Sequence, residues 1–217
     1  MWPGRTAADL GRLVVAGGRP HRWPVPGARR CAVEAVDIDR DAGLGAVLIV
    51  TLPFRGPATA YEEVYEHDAL HGWVSPGGAS HSPADRALAR ARPSAARSGP
   101  AVMLSCHGGS AARSHLERLR LRESGGDAAR VRFVAWINTC VIDTSVEVDH
   151  LLVAGRRVPA SAHGRCVIVW KSAASDHPVT ALRPPFAAVD RGGRVLTELG
   201  PCDALDTLTR AFLDELA

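Results

Sequence analysis

The sequence predicts a mainly β protein, an antiparallel β-sandwich or partly open barrel carrying a short N-terminal helix, a mid-chain helix and a docked C-terminal helix. Three observations carry that prediction. The stretch Arg130 to Lys171 holds the clearest two-residue alternation in the chain, which is the period of a strand with one face buried. Val131, Phe133, Ala135 and Ile137 fall on one parity. After a break at Asn138-Thr139, Cys140, Ile142, Val146, Val148 and Leu152 take the even positions, with Asp143, Ser145, Glu147 and Asp149 on the odd ones. Second, Arg165 to Lys171 is apolar on both parities, as an interior strand covered on both faces requires. Third, short β-branched runs recur between turn signals, and the central ones read as an antiparallel meander.

Length and composition set the outer bounds. The 217 residues suffice for one domain, 1–217, in which residues 82–99, rich in Ala, Arg, Ser and Pro, read as a mobile loop or linker. A hydrophobic content of 46% and a net charge of +3 are ordinary for a globular protein and favour neither nucleic acid nor a strongly acidic partner. Lys171 is the only lysine, so the arginine-rich, alanine-rich and glycine-rich usage reads as the coding bias of a GC-rich bacterial genome. No window has the roughly 20 apolar residues of a membrane span. Asp9 and Arg12 interrupt the place where a signal peptide needs its apolar stretch. Five scattered cysteines without a C-x-x-C pair suggest reduced thiols, and together these features predict a cytoplasmic protein.

In chain order, Thr6 caps a helix whose Leu10, Leu13 and Val14 share a stripe and which Gly17-Gly18 end. Residues Arg19 to Arg30, with three prolines around Trp23, lie across the surface. Cys31–Asp39 and Gly45–Leu52 form a hairpin through Arg40 to Leu44. Thr59 to His81 reads best as a second hairpin, because Tyr61, Glu63, Tyr65 and His67 alternate with Glu62, Val64 and Glu66, and Asp68 to His71 can turn the chain into Gly72-Trp73-Val74. Pro100–Cys106 is a strand, turned by His107-Gly108-Gly109-Ser110, and Ala111 to Glu123 a helix ending at Gly125-Gly126. Val179–Leu182, Phe186–Val189 and Val195–Leu199 are short strands. Pro201 opens a C-terminal helix with Leu205, Leu208, Phe212, Leu213 and Leu216 on one stripe.

Read as a helix instead, residues 59–81 would set His67 and His71 one turn apart with Asp68 between them. This H-D-x-x-H resembles the zinc-binding helix H-E-x-x-H, aspartate replacing glutamate, with Val74 and Gly77 where the metzincin continuation has glycine and histidine. The resemblance implies His67 and His71 as ligands to zinc and Asp68 beside the bound water. Elsewhere, Ser105, Cys106 and His107 stand at a strand end before two glycines, where nucleophiles and oxyanion-hole amides occur. Asp143, Ser145, Glu147 and Asp149 would line one strand face and offer oxygen to a divalent cation, although a solvated face needs the same pattern. His150 reads as a core-edge histidine, and the arginines between Arg113 and Arg132 as a basic patch without interleaved aromatics.

The sequence therefore reads as a non-enzymatic intracellular β-rich module that binds another protein, with Trp23 and Trp73 as contact residues and no resident cofactor. The alternative is a hydrolase, metal-dependent through His67 and His71 or built on Ser105, Cys106 and His107.

Overall fold

The computed structural model describes residues 6–18, 28–56, 58–76, 81–83, 102–111, 121–126, 135–173 and 183–201. Within these residues the helix α1 (Ala7–Val15) precedes the strands β1 (Ala28–Asp39), β2 (Leu44–Pro53), β3 (Thr59–Asp68), β4 (Gly72–Val74), β5 (His81–Pro83), β6 (Val102–Ala111), β7 (Ala135–Thr144), β8 (Val148–Val153), β9 (Arg156–Pro159), β10 (Arg165–Ala173), β11 (Phe186–Asp190) and β12 (Val195–Leu199). They form three antiparallel sheets. Sheet A runs β1-β2-β3-β4 with β5 also on β3, sheet B β10-β7-β6 and sheet C β12-β11-β8-β9. Among the described residues none of the sheets closes into a barrel.

The sheets stack with sheet B in the middle. On one face of sheet B, Ile137, Val141, Val167 and Val169 pack against Ala35, Leu44, Leu48, Val50 and Val64 of sheet A. On the other, Cys140, Ile142, Cys166, Ile168 and Trp170 pack against Val148, Leu151, Val153, Val158 and Phe186 of sheet C. Both parities of β7 and β10 are thus consumed, which is why their sequences lack a polar face. Complete burial of each such side chain is worth roughly 1.5–3 kcal/mol. The outer face of sheet A is covered by α1, whose Leu10, Val14 and Val15 meet Cys31, Val47, Ile49 and Tyr65. A capping box fixes the start of α1: Thr6 Oγ1 accepts from the Asp9 amide at 3.2 Å, and Asp9 Oδ2 accepts from the Thr6 amide at 2.8 Å.

Several sequence expectations are corrected. β7 runs straight through Asn138-Thr139 instead of breaking there. The central stretch is not one meander, because the chain leaves sheet B after Thr144, makes the β8–β9 hairpin in sheet C and returns as β10. Asp143, Ser145, Glu147 and Asp149 do not line one strand. The chain turns between Ser145 and Val148, so Ser145 is buried while Val146 is 51% exposed. In β8 Val148 is buried as the alternation expects, but beyond it His150, Leu151 and Val153 are buried and Leu152 faces out. The glycines of His107-Gly108-Gly109-Ser110 make no turn, since β6 continues to Ala111. The residues read as Val179–Leu182, the C-terminal helix and most of 82–99 lie outside the described residues, as does most of the mid-chain helix, of which 121–123 are helical.

Candidate functional site at the β3–β4 hairpin

β3 carries four carboxylates, and all are buried: Glu62, Glu63, Glu66 and Asp68. Such groups survive folding only when hydrogen-bonded or paired. Tyr61, Glu63 and Tyr65 face the α1 side, where Tyr65 Oη donates to the Ala8 carbonyl at 2.8 Å and Ser75 Oγ donates to Glu63 Oε1. Burial pushes the Glu63 carboxyl up, partly offset by the Ser75 hydrogen bond and the Arg12 charge, and burial likewise raises both tyrosines. Facing sheet B, Glu62 Oε2 accepts from Thr139 Oγ1, and Glu66 Oε1 pairs with Lys171 Nζ at 3.3 Å.

Asp68 ends the strand and builds the turn. Its Oδ1 accepts from the Leu70 amide at 2.8 Å, the His71 amide at 3.1 Å and His71 Nδ1 at 2.9 Å. Such a carboxylate-to-backbone turn is what an aspartate two residues before the bend provides. Gly72 follows at φ 66, a left-handed conformation that glycine adopts without strain. The product is a hydrogen-bonded tip on which Leu70 is 80% exposed. His71 Nε2 meets Glu123 Oε1 at 2.8 Å, so the imidazole sits between two carboxylates. The Glu123 and then the Asp68 hydrogen bond raise its pKa.

This hairpin removes the helix that H-D-x-x-H needs. His67 lies in β3, exposed, with its ring edge-on to Trp73 at 5.1 Å, while both ring nitrogens of His71 are engaged by carboxylates. Among the described residues no three His, Cys, Asp or Glu side chains are gathered as a metal requires. Trp73 is half-buried against the α1 cluster beside Gly45. Trp23 lies outside the described residues. Ser105, Cys106 and His107 are mid-strand in β6, and the register slips between Leu104 and Cys106, making Ser105 the extra residue of a bulge. His150 is 9% exposed with Nδ1 3.0 Å from Asp149 Oδ2. Leu70 was not singled out from sequence, although Asp68-Ala69-Leu70 carried its signal.

No protein-family model matches the chain, and no curated protein or solved structure is significantly similar to it.

Proposed function

We propose that the chain is a cytoplasmic protein-interaction module whose contact point is the β3–β4 tip. The observation that carries this reading is Leu70, 80% exposed on a turn held by three hydrogen bonds to one buried carboxylate. A large apolar side chain in water gains roughly 1.5–3 kcal/mol when a partner buries it. A turn already ordered spares the partner complex the cost of ordering it. Aromatic side chains dominate interface energetics, and Trp73 with His67 flanks the tip. Placement in the cytoplasm is supported by five scattered cysteines without a C-x-x-C pair, the usage of reduced thiols.

The test compares what co-purifies with the untagged chain and its variants from the native host. A stoichiometric partner is expected with wild type and with Phe54→Asp, which charges another exposed loop residue, and is expected to be lost from Leu70→Asp. Retention by Leu70→Asp overturns the reading. The hydrolase alternative at Ser105, Cys106 and His107 instead requires that Ser105→Ala and His107→Ala abolish function.

A further inference from the structure

Far from the hairpin in sequence, β1 and the β9–β10 loop bring a serine, a glutamate and a histidine together. Ser161 Oγ donates to Glu34 Oε1 at 2.6 Å, and His163 Nδ1 lies 2.9 Å from the same oxygen. Glu34 is the extra residue of a β1 bulge, between Val33 paired with Ile49 and Ala35 paired with Leu48. Bulges re-aim a side chain and are over-represented beside active sites. The loop is fixed on its other side: Ser161 exchanges hydrogen bonds with Arg165, the Ser161 amide to its carbonyl at 2.8 Å and the Arg165 amide to Ser161 Oγ at 3.0 Å, and the Gly164 amide donates to the Ser161 carbonyl at 2.9 Å. Ser161 and Ala162 border a surface cavity of about 440 Å³ whose rim also carries Glu147, Asp149 and Arg191.

We propose that Ser161 is an acyl-accepting nucleophile with Glu34 as its general base, acting on a small polar ester in this cavity. This goes beyond the interaction role and rests on different residues. A hydroxyl is a weak nucleophile until a base within about 2.6–3.2 Å takes its proton, and Glu34 stands there. In the first half-reaction the Ser161 proton passes to Glu34, an Oγ–acyl bond forms, the ester C–O bond breaks and the alcohol leaves with the proton from Glu34. In the second, water gives its proton to Glu34 and attacks the acyl group. The acyl–Oγ bond breaks, Glu34 returns the proton to Ser161 Oγ and the acid departs. The amide of Ala162, the next residue, is the donor for the oxyanion, the position used when a nucleophile's own loop supplies the hole. His163, about half exposed, is a positioning residue that holds Glu34 through Nδ1–H. Glu147, Asp149 and Arg191 make the rim polar, and the volume suits a small ligand.

The experiment exposes the purified 217-residue chain to a fluorophosphonate, maps the modified peptide by mass spectrometry and follows 4-nitrophenyl acetate hydrolysis. The adduct is expected on Ser161, absent from Ser161→Ala and roughly 100-fold slower to form in Glu34→Gln, which still accepts a hydrogen bond. His163→Ala is expected to slow labelling and His163→Asn, which keeps a donor, to restore it. Thermal unfolding of each variant reports its folding. No adduct on Ser161 of the folded chain overturns the proposal, as does an adduct that forms equally fast in folded Glu34→Gln.

Discussion

His71 shows how much one side chain decides at the tip. A neutral imidazole has a single N–H and cannot donate to Asp68 and Glu123 together, so the observed pair of contacts belongs to the protonated ring. Its pKa is therefore raised from the ordinary value near 6.5 by Glu123 first and Asp68 second. A group with a raised folded pKa contributes stability that is complete below its unfolded value and disappears as pH rises through the folded one. As pH rises above the ordinary histidine value near 6.5, the thermal midpoint of wild type is expected to fall relative to His71→Gln, and parallel curves would refute the assignment. Asp68→Ala removes the acceptor for three donors and should cost about 2–3 kcal/mol by urea titration. The turn itself was legible in Asp68-Ala69-Leu70-His71. Glu123 as the second partner was not, because 52 residues separate it from His71 and no local pattern encodes that meeting.

Elements were legible where their pattern was local and regular. The alternation through Tyr61 to His67 gave β3, and the doubly apolar run after Gly164 gave β10 its central place between two sheets. Parity failed wherever the backbone slipped by one residue, since a bulge exchanges the faces of everything beyond it. In β1 the slip at Glu34 sets Val33 toward α1 but Ala35 toward sheet B. The turn at Ser145 exposes Val146, and a second slip at Asp149, between Val148 paired with Asp190 and His150 paired with Val189, turns Leu151 and Val153 inward and Leu152 outward. Glu34 and Ser161 became neighbours only through such a slip, so their pairing could not be read in advance. Helix α1 offers a prediction in which local and tertiary effects oppose one another. Gly11→Ala raises helix propensity by up to about 1 kcal/mol. Its Cβ, however, would stand 2.8 Å from Val47 Cγ2 and closer still to Tyr65 Oη, the group that bonds the Ala8 carbonyl. Overpacking of this kind costs about 1–3 kcal/mol, so the variant is expected to be net destabilised in urea despite its better helix former. A gain in stability would show that α1 can lift from the sheet without loss.

Three stacked sheets share apolar surface, and one side chain also binds all three through charge. Arg156 of β9 donates Nη2 to Asp37 Oδ2 at 2.9 Å and Nη1 to Asp39 Oδ2 at 2.7 Å on β1, while Nη2 also reaches the Val169 carbonyl of β10 at 3.1 Å. Asp37 Oδ2 in turn accepts the Val169 amide at 3.0 Å, so the edges of sheets A and B are laced together without a strand ladder. Only a planar guanidinium can serve two carboxylates and a carbonyl at once, and lysine at this position would not replace it. The side chain of Asp37 is 2% exposed, which makes the loss asymmetric. Arg156→Leu leaves a buried carboxylate without its cation and should cost about 3–5 kcal/mol. Asp37→Asn should cost less in the Arg156→Leu background than in wild type, because the charge it removes is by then unpaired. Urea unfolding followed by tryptophan fluorescence and by far-UV circular dichroism measures both effects. Coincident transitions in wild type that separate in Arg156→Leu would show that this residue couples the layers into one cooperative unit. Additive costs for the two substitutions would mean that the apolar interfaces alone hold the sheets together.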